Sequence, residues 1–158
     1  MKPILSFIGW HNSGKTTLAR KVVAELVRRG FRVGVVKSTK EQGLVFNSLD
    51  TDSGKYSATG AAVLLAAPDQ IFLQQPMEKR SLKELANSYF STMDIVVGEG
   101  FKDEPEIYKI EVFRGGERLA GTVDGVVMVA TDKEVDDERV VSLDAFEEIA
   151  DFLESMVK

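Results

Sequence analysis

The chain has no cysteine, one histidine and four prolines among its 158 residues. Without cysteine there is no disulfide, no thiolate metal centre and no thiol nucleophile, and the composition fits a reducing cytoplasm. A single histidine cannot build the multi-histidine sites of zinc and its neighbours. No apolar run approaches the roughly 20 residues of a membrane span. The first apolar run begins at Pro3 and passes straight into a glycine-rich stretch, so it is not expected to be a signal peptide. Positive charge is scarce: 20 Lys and Arg stand against 25 Asp and Glu, a formal net charge of −5. That balance argues against nucleic acid as the main partner. A hydrophobic share of 44% with 28% charged residues is globular. The length fits a single domain over residues 1–158 with a real core.

One stretch carries most of the information. Gly9-Trp10-His11-Asn12-Ser13-Gly14-Lys15-Thr16 fits G-x-x-x-x-G-K-[ST], the phosphate-binding loop. The apolar run Ile4-Leu5-Ser6-Phe7-Ile8 before it reads as a buried strand. Leu18, Val22, Val23, Leu26 and Val27 follow at helical spacing, and Gly30 marks a stop. Strand, glycine loop and helix are what the chemistry needs. Glycines let successive N–H groups converge on phosphate oxygens, and the helix N-terminus adds its positive end. The expected nucleotide contacts are Gly9, His11, Asn12, Ser13, Gly14, Lys15, Thr16 and Thr17. Lys15 reaches the β and γ phosphates and the Thr16 hydroxyl takes Mg²⁺. His11, at a variable position, faces solvent or a partner, and Trp10 packs on the base, a partner or the domain itself.

Beyond the loop, Phe31–Val36 reads as a second strand. The polar segment from Lys37 to Tyr56 is long enough to be functional, and turns helical around residues 53–59. Ala61–Ala67 and Gln70–Gln75 read as two buried strands split by Pro68-Asp69. Ser81-Leu82-Lys83-Glu84 is a capping box opening a helix to about Phe90. Asp94–Gly98 reads as a strand closing at Glu99-Gly100. Ile107–Phe113 alternates, placing Tyr108, Ile110 and Val112 on one face, with a turn at Arg114-Gly115-Gly116. Gly125–Ala130 and Arg139–Ser142 are further strands, and a final amphipathic helix runs from Phe146 to Val157. Strands alternating with helices predict an α/β fold with a mainly parallel central sheet. In such sheets ligands bind at the carboxyl ends of strands, where the phosphate loop, Lys37, Glu99 and the loop after Ala130 all fall.

A triphosphate with Mg²⁺ needs a second acid, usually closing an apolar strand. Glu99 is that candidate, for metal and for catalysis, and Gly100 lets backbone approach a phosphate. Lys102 serves phosphate or solvent. Lys37 ends the second strand on the same rim. Asp50 and Asp52 lie in the long polar loop. Asp52 suits a water-mediated metal contact or the N-cap of the short helix, whereas Asp50 reads as local structure. The guanine signature N-K-x-D is absent. Asp132 nevertheless follows a strand at about the right place to accept from a guanine edge, so the residues alone leave GTP and ATP both open.

Several strings together resemble the MobB family: Gly9–Leu18, Val33–Lys37, Asp52-Ser53, Gly60-Ala61, Val97–Lys102, and Lys109-Ile110-Glu111-Val112 with Arg114. The resemblance spans about Ile4 to Asp132. It implies a P-loop NTPase three-layer fold, GTP with Mg²⁺, weak GTP hydrolysis and a homodimer. It also implies an adapter role in molybdopterin-guanine dinucleotide synthesis, beside a MobA-like guanylyltransferase or a molybdoenzyme, with molybdopterin as a possible contact. Lys15, Thr16 and Glu99 carry over as phosphate, metal and Walker B positions, and Lys37 and Asp52 as motif positions. The chain departs from the family where histidines usually follow the second strand, reading Ser38-Thr39-Lys40-Glu41, and where Gly98 replaces a large aliphatic. The alternatives are a divergent metallochaperone, whose Cys or His ligands are lacking here, a purely regulatory nucleotide-binding module, and a small-molecule kinase. The kinase would need a lid of several arginines, and only Arg80 lies between Lys37 and Glu99.

Overall fold

The computed structural model describes residues 2–44 and 48–157, so part of the Lys37–Tyr56 loop lies outside the described residues. The elements are β1 (Ile4–Ile8), α1 (Lys15–Arg28), β2 (Val33–Lys37), α2 (Asp52–Ala58), β3 (Val63–Ala66), β4 (Ile71–Gln74), α3 (Leu82–Tyr89), β5 (Ile95–Glu99), β6 (Tyr108–Phe113), β7 (Val126–Thr131), β8 (Val140–Val141) and α4 (Phe146–Ser155). They fall into two compact units, Met1–Thr39 with Ser81–Lys158, and Lys40–Arg80.

The first unit is a six-stranded sheet in the order β2-β5-β1-β6-β7-β8, every neighbouring pair parallel. Strand periodicity explains its layers. Ile95 and Val97 point into one core with Leu18, Val22 and Leu26 of α1 and Ile149 and Leu153 of α4. Val96, one residue out of phase, joins Leu82 and Ala86 of α3 and Ile107 in another. Helices therefore cover both faces, as a parallel sheet requires. Each such Leu, Ile or Val contributes about 1.5–3 kcal/mol by leaving water. The expected capping box on α3 is present: Ser81 Oγ accepts from the Glu84 N–H, and Glu84 accepts from the Ser81 N–H at 2.8 Å.

The alternation expected on β6 is present: Tyr108, Ile110 and Val112 share one face, and the Tyr108 ring meets Phe152 of α4 edge to face with centroids 5.8 Å apart. On β6, Ile110 and Val112 are buried but Tyr108 is 47% exposed. The opposite face is not solvated: Lys109 and Glu111 are 1% and 0% exposed. Lys109 donates to the carbonyls of Glu104 and Asp124 at 2.6 and 2.7 Å, and Glu111 accepts the N–H groups of Leu119 and Ala120 at 2.7 and 2.9 Å. These bonds stitch the loops on either side of β6 to the sheet. Burial pushes the Lys109 ammonium below its ordinary pKa, while the acids around it oppose that shift.

One expectation is corrected, in the smaller unit. β3 and β4 do not enter a core as buried strands. They pair with each other, antiparallel, and leave Leu64, Ile71, Phe72 and Leu73 exposed. α2 forms as expected, but its N-cap is Thr51, whose hydroxyl accepts from the Gly54 N–H at 3.1 Å. Asp52 is the first helical residue and pairs with Lys55 at 3.4 Å. Gly54 is needed because a Cβ there would lie 2.2 Å from the Ser48 carbonyl oxygen.

Candidate nucleotide-binding site

With all six strands parallel, the segments after each strand leave one edge of the sheet. Gly9, Lys37, Glu99, Arg114, Asp132 and Ser142 follow or end those strands. The order places β5 and β6 on opposite sides of β1, a topological switch at the strand that feeds the glycine loop.

The loop is built by close approach. A Cβ on Gly9, at φ +147°, would stand 2.5 Å from the Val112 carbonyl oxygen. Asn12 and Gly14 also take positive φ, 60° and 94°. Lys15 Nζ donates to the Trp10 carbonyl at 2.6 Å, folded back over its own loop. Burial lowers the Lys15 pKa, with Glu99 opposing and Lys37 assisting. Ser13 Oγ is buried with no hydrogen-bond partner among the described residues. His11 is exposed.

Next to the loop, Glu99 Oε1 accepts from Thr16 Oγ1 at 2.7 Å and from Lys37 Nζ at 2.9 Å. Burial raises the Glu99 pKa. The hydrogen bonds from Lys37 and Thr16, with the charges of Lys37 and Lys15, outweigh it, and the carboxyl sits below its ordinary value. A threonine hydroxyl beside an ionised carboxylate is a hard-oxygen pair of the kind Mg²⁺ takes. Gly100, at φ +96°, commits its N–H to the Phe7 carbonyl at 2.9 Å. The departure at Gly98 has a packing reason: a Cβ there would meet Leu82 Cδ2 at 2.6 Å and Ser6 Oγ at 2.9 Å.

On the other side of Gly14 opens a cleft of about 430 Å³. Thr17 and Arg114 stand on its wall together with Asp132, Ser142 and Asp144. The expected base contact, Asp132, is thus brought to the same cleft as the phosphate loop. Trp10 packs on neighbouring loops of its own unit: its indole N–H donates to the Glu117 carbonyl at 2.6 Å, and Lys102 Nζ lies 5.4 Å from its ring. Asp52 belongs to the smaller unit, at the start of α2.

A sequence model of the family described as MobB, molybdopterin guanine dinucleotide synthesis protein B, matches residues 4–132. The chain belongs to the MobB family. It is similar to the molybdopterin-guanine dinucleotide biosynthesis adapter protein of Escherichia coli K12, 34% identical over 97% of this chain and 92% of that one. The adapter protein of Haemophilus influenzae is 31% identical over 97% and 88%. Among solved structures, a crystal structure of molybdopterin-guanine biosynthesis protein B superposes with a TM-score of 0.79 at 30% identity, covering 97% of this chain and 99% of that one. The MobB homologue of Bacillus stearothermophilus shares the fold, with a TM-score of 0.73 at 24% identity. The expected P-loop NTPase architecture is therefore the observed one.

Several features of the cleft and of β6 are not legible residue by residue. Ser142 and Asp144 enter the cleft only because β8 pairs with β7. Lys109 and Glu111 sit at alternate positions of an apolar strand, a pattern that also describes a solvated face. Their place in the family-like string K-I-E-V was the available signal.

Proposed function

We propose that this MobB chain is a GTP-binding adapter in molybdopterin-guanine dinucleotide biosynthesis, working in the cytoplasm as one nucleotide-binding domain. Family membership carries the adapter role. The shared Glu99 oxygen, held between Thr16 and Lys37 at the end of a phosphate loop, carries the nucleotide reading. Lys15 leaves the Trp10 carbonyl for phosphate. Thr16 and Glu99 hold Mg²⁺, which when bound neutralises phosphate charge. Gly9, Asn12, Ser13, Gly14 and Thr17 frame the phosphates, with Gly100 shaping the edge. Asp132 accepts from the guanine N–H groups that adenine lacks in that pattern. Lys37 holds Glu99 ionised and in place. His11 and the exposed ring of Trp10 face a partner, a MobA-like guanylyltransferase or a molybdoenzyme, and Asp52 is a family-motif position at the start of α2 in the smaller unit. Turnover is slow, with Glu99 as its acidic group.

Homodimer formation is part of the same reading. By strand alternation Leu64, Ile71 and Leu73 share one exposed face of the hairpin and Phe72 lies on the other, and the first face is the apolar surface we assign to a second copy.

The test is calorimetric titration with GTP and ATP in Mg²⁺. We expect GTP to bind more tightly, by about 1–3 kcal/mol if Asp132 is left unpaired against ATP. Lys15→Ala should abolish tight binding with an unchanged circular dichroism melt. Equal affinity for the two nucleotides refutes the base assignment, and unchanged affinity in folded Lys15→Ala refutes the site.

A further inference from the structure

We infer that Arg114 clamps the phosphate nearest the sugar of the bound nucleotide, a role that rests on the nucleotide-site reading above. A methyl group placed on Gly14 would stand 3.8 Å from Arg114 Nε, so this side chain lies directly against the phosphate loop. It also lines the cleft with Thr17, Asp132, Ser142 and Asp144. Among the described residues it makes no hydrogen bond or ion pair, although the neighbouring cation Lys21 is paired with Asp144 at 2.6 Å. Its charge is nevertheless felt in the cleft, where it assists Lys21 in lowering the Asp144 pKa.

The charges of the cleft are segregated. Lys15 and Thr16 gather around Glu99, where the outer phosphates and metal belong. The carboxylates Asp132 and Asp144 stand with Ser142 after β7 and β8, and they repel phosphate but accept from a base or a sugar. Arg114 follows β6, between the phosphate loop on β1 and the acids after β7 and β8 in strand order. A nucleotide spanning the two ends presents one group to an arginine beside Gly14 and Thr17: the phosphate joined to the sugar. A guanidinium suits that oxygen pair, because its fork donates two parallel N–H groups. The role differs from that of an arginine finger, which acts on the transferred phosphate.

The experiment is calorimetry of wild type, Arg114→Ala and Arg114→Lys with GTP, GDP, GMP and guanosine, GMP and guanosine being measured by competition. We expect Arg114→Ala to weaken GTP, GDP and GMP by a common factor of about 10–100 and to leave guanosine unchanged. Arg114→Lys should recover part of the loss. Equal weakening of guanosine means that the side chain meets the base and overturns the clamp. So does loss of GTP turnover with GDP affinity intact, which places it at the terminal phosphate. Wild type that binds and Arg114→Ala that binds equally, with matching melts, overturns the clamp alone. Wild type that binds none of the four overturns the nucleotide reading and the clamp with it.

Discussion

In the unit that bears the phosphate loop, Leu5, Phe7, Ile95, Ile110 and Leu153 are all 0% exposed, whereas in Lys40–Arg80 the paired strands leave Leu64, Ile71, Phe72 and Leu73 between 43% and 66% exposed. Both regions are rich in strand-forming apolar residues. The difference is what lies across each face. The six-stranded sheet has α1 and α4 on one side and α3 on the other. The two four-residue strands have each other, and a lone two-stranded ribbon is marginal in water. The candidate rim is therefore set on a scaffold covered on both faces, whereas the hairpin leaves its apolar side chains exposed.

The largest test of that contrast is Ile149→Ala, which removes a fully buried side chain from the core between α4 and the sheet. We expect a loss of about 2–5 kcal/mol in denaturant unfolding. A loss below about 1 kcal/mol would mean that the scaffold is no better packed than the hairpin.

A second test is acid. Hydrogen bonds from Arg28 and Arg29 hold the Glu25 carboxyl at about 2 against an ordinary 4.5. Arg29 also bridges Asp151 and Glu154 of α4 at 2.6 and 2.7 Å. A depressed folded pKa gives stability that is fully present above the ordinary value and is lost as pH falls toward the folded one. Thermal melts should thus drop between about pH 4.5 and 2, with a shallower drop in Glu25→Gln. Identical slopes would detach this ion network from the stability of the scaffold.

The smallest expected effect is Ile71→Ser in the hairpin, 66% exposed. The unfolding free energy of isolated protomers should move by no more than about 0.5 kcal/mol. Sedimentation should show a weakened dimer, and an unchanged dimer would locate the interface elsewhere.

The same contrast explains what was legible in the sequence. The phosphate loop, α1, the capping box of α3 and the parallel strands were legible because period and motif are local. Glu99 was legible because it closes an apolar run. The hairpin was misread because Val63–Ala66 and Ile71–Leu73 are unbroken apolar runs, which look the same whether a sheet or a missing surface covers them. The burial of Lys109 and Glu111 was not legible, because their partners, Glu104, Leu119, Ala120 and Asp124, come from loops that only the fold brings back. The Asp144 wall of the cleft depends likewise on the position of β8 in the sheet.

Trp10 ties several of these parts into one mechanical unit. Its carbonyl holds the Lys15 ammonium, its indole N–H holds Glu117 and its ring lies near Lys102. On the proposed nucleotide reading, phosphate that draws Lys15 away would release the Trp10 carbonyl, and the occupied loop would differ from the empty one at a residue that is 45% exposed. Linkage makes that relation reciprocal. A protein that grips the Trp10 indole in one of these two states changes nucleotide affinity by the same factor by which nucleotide changes its own. On that reading the tryptophan would be a two-way transmission, carrying occupancy outward and partner engagement inward through a single peptide group.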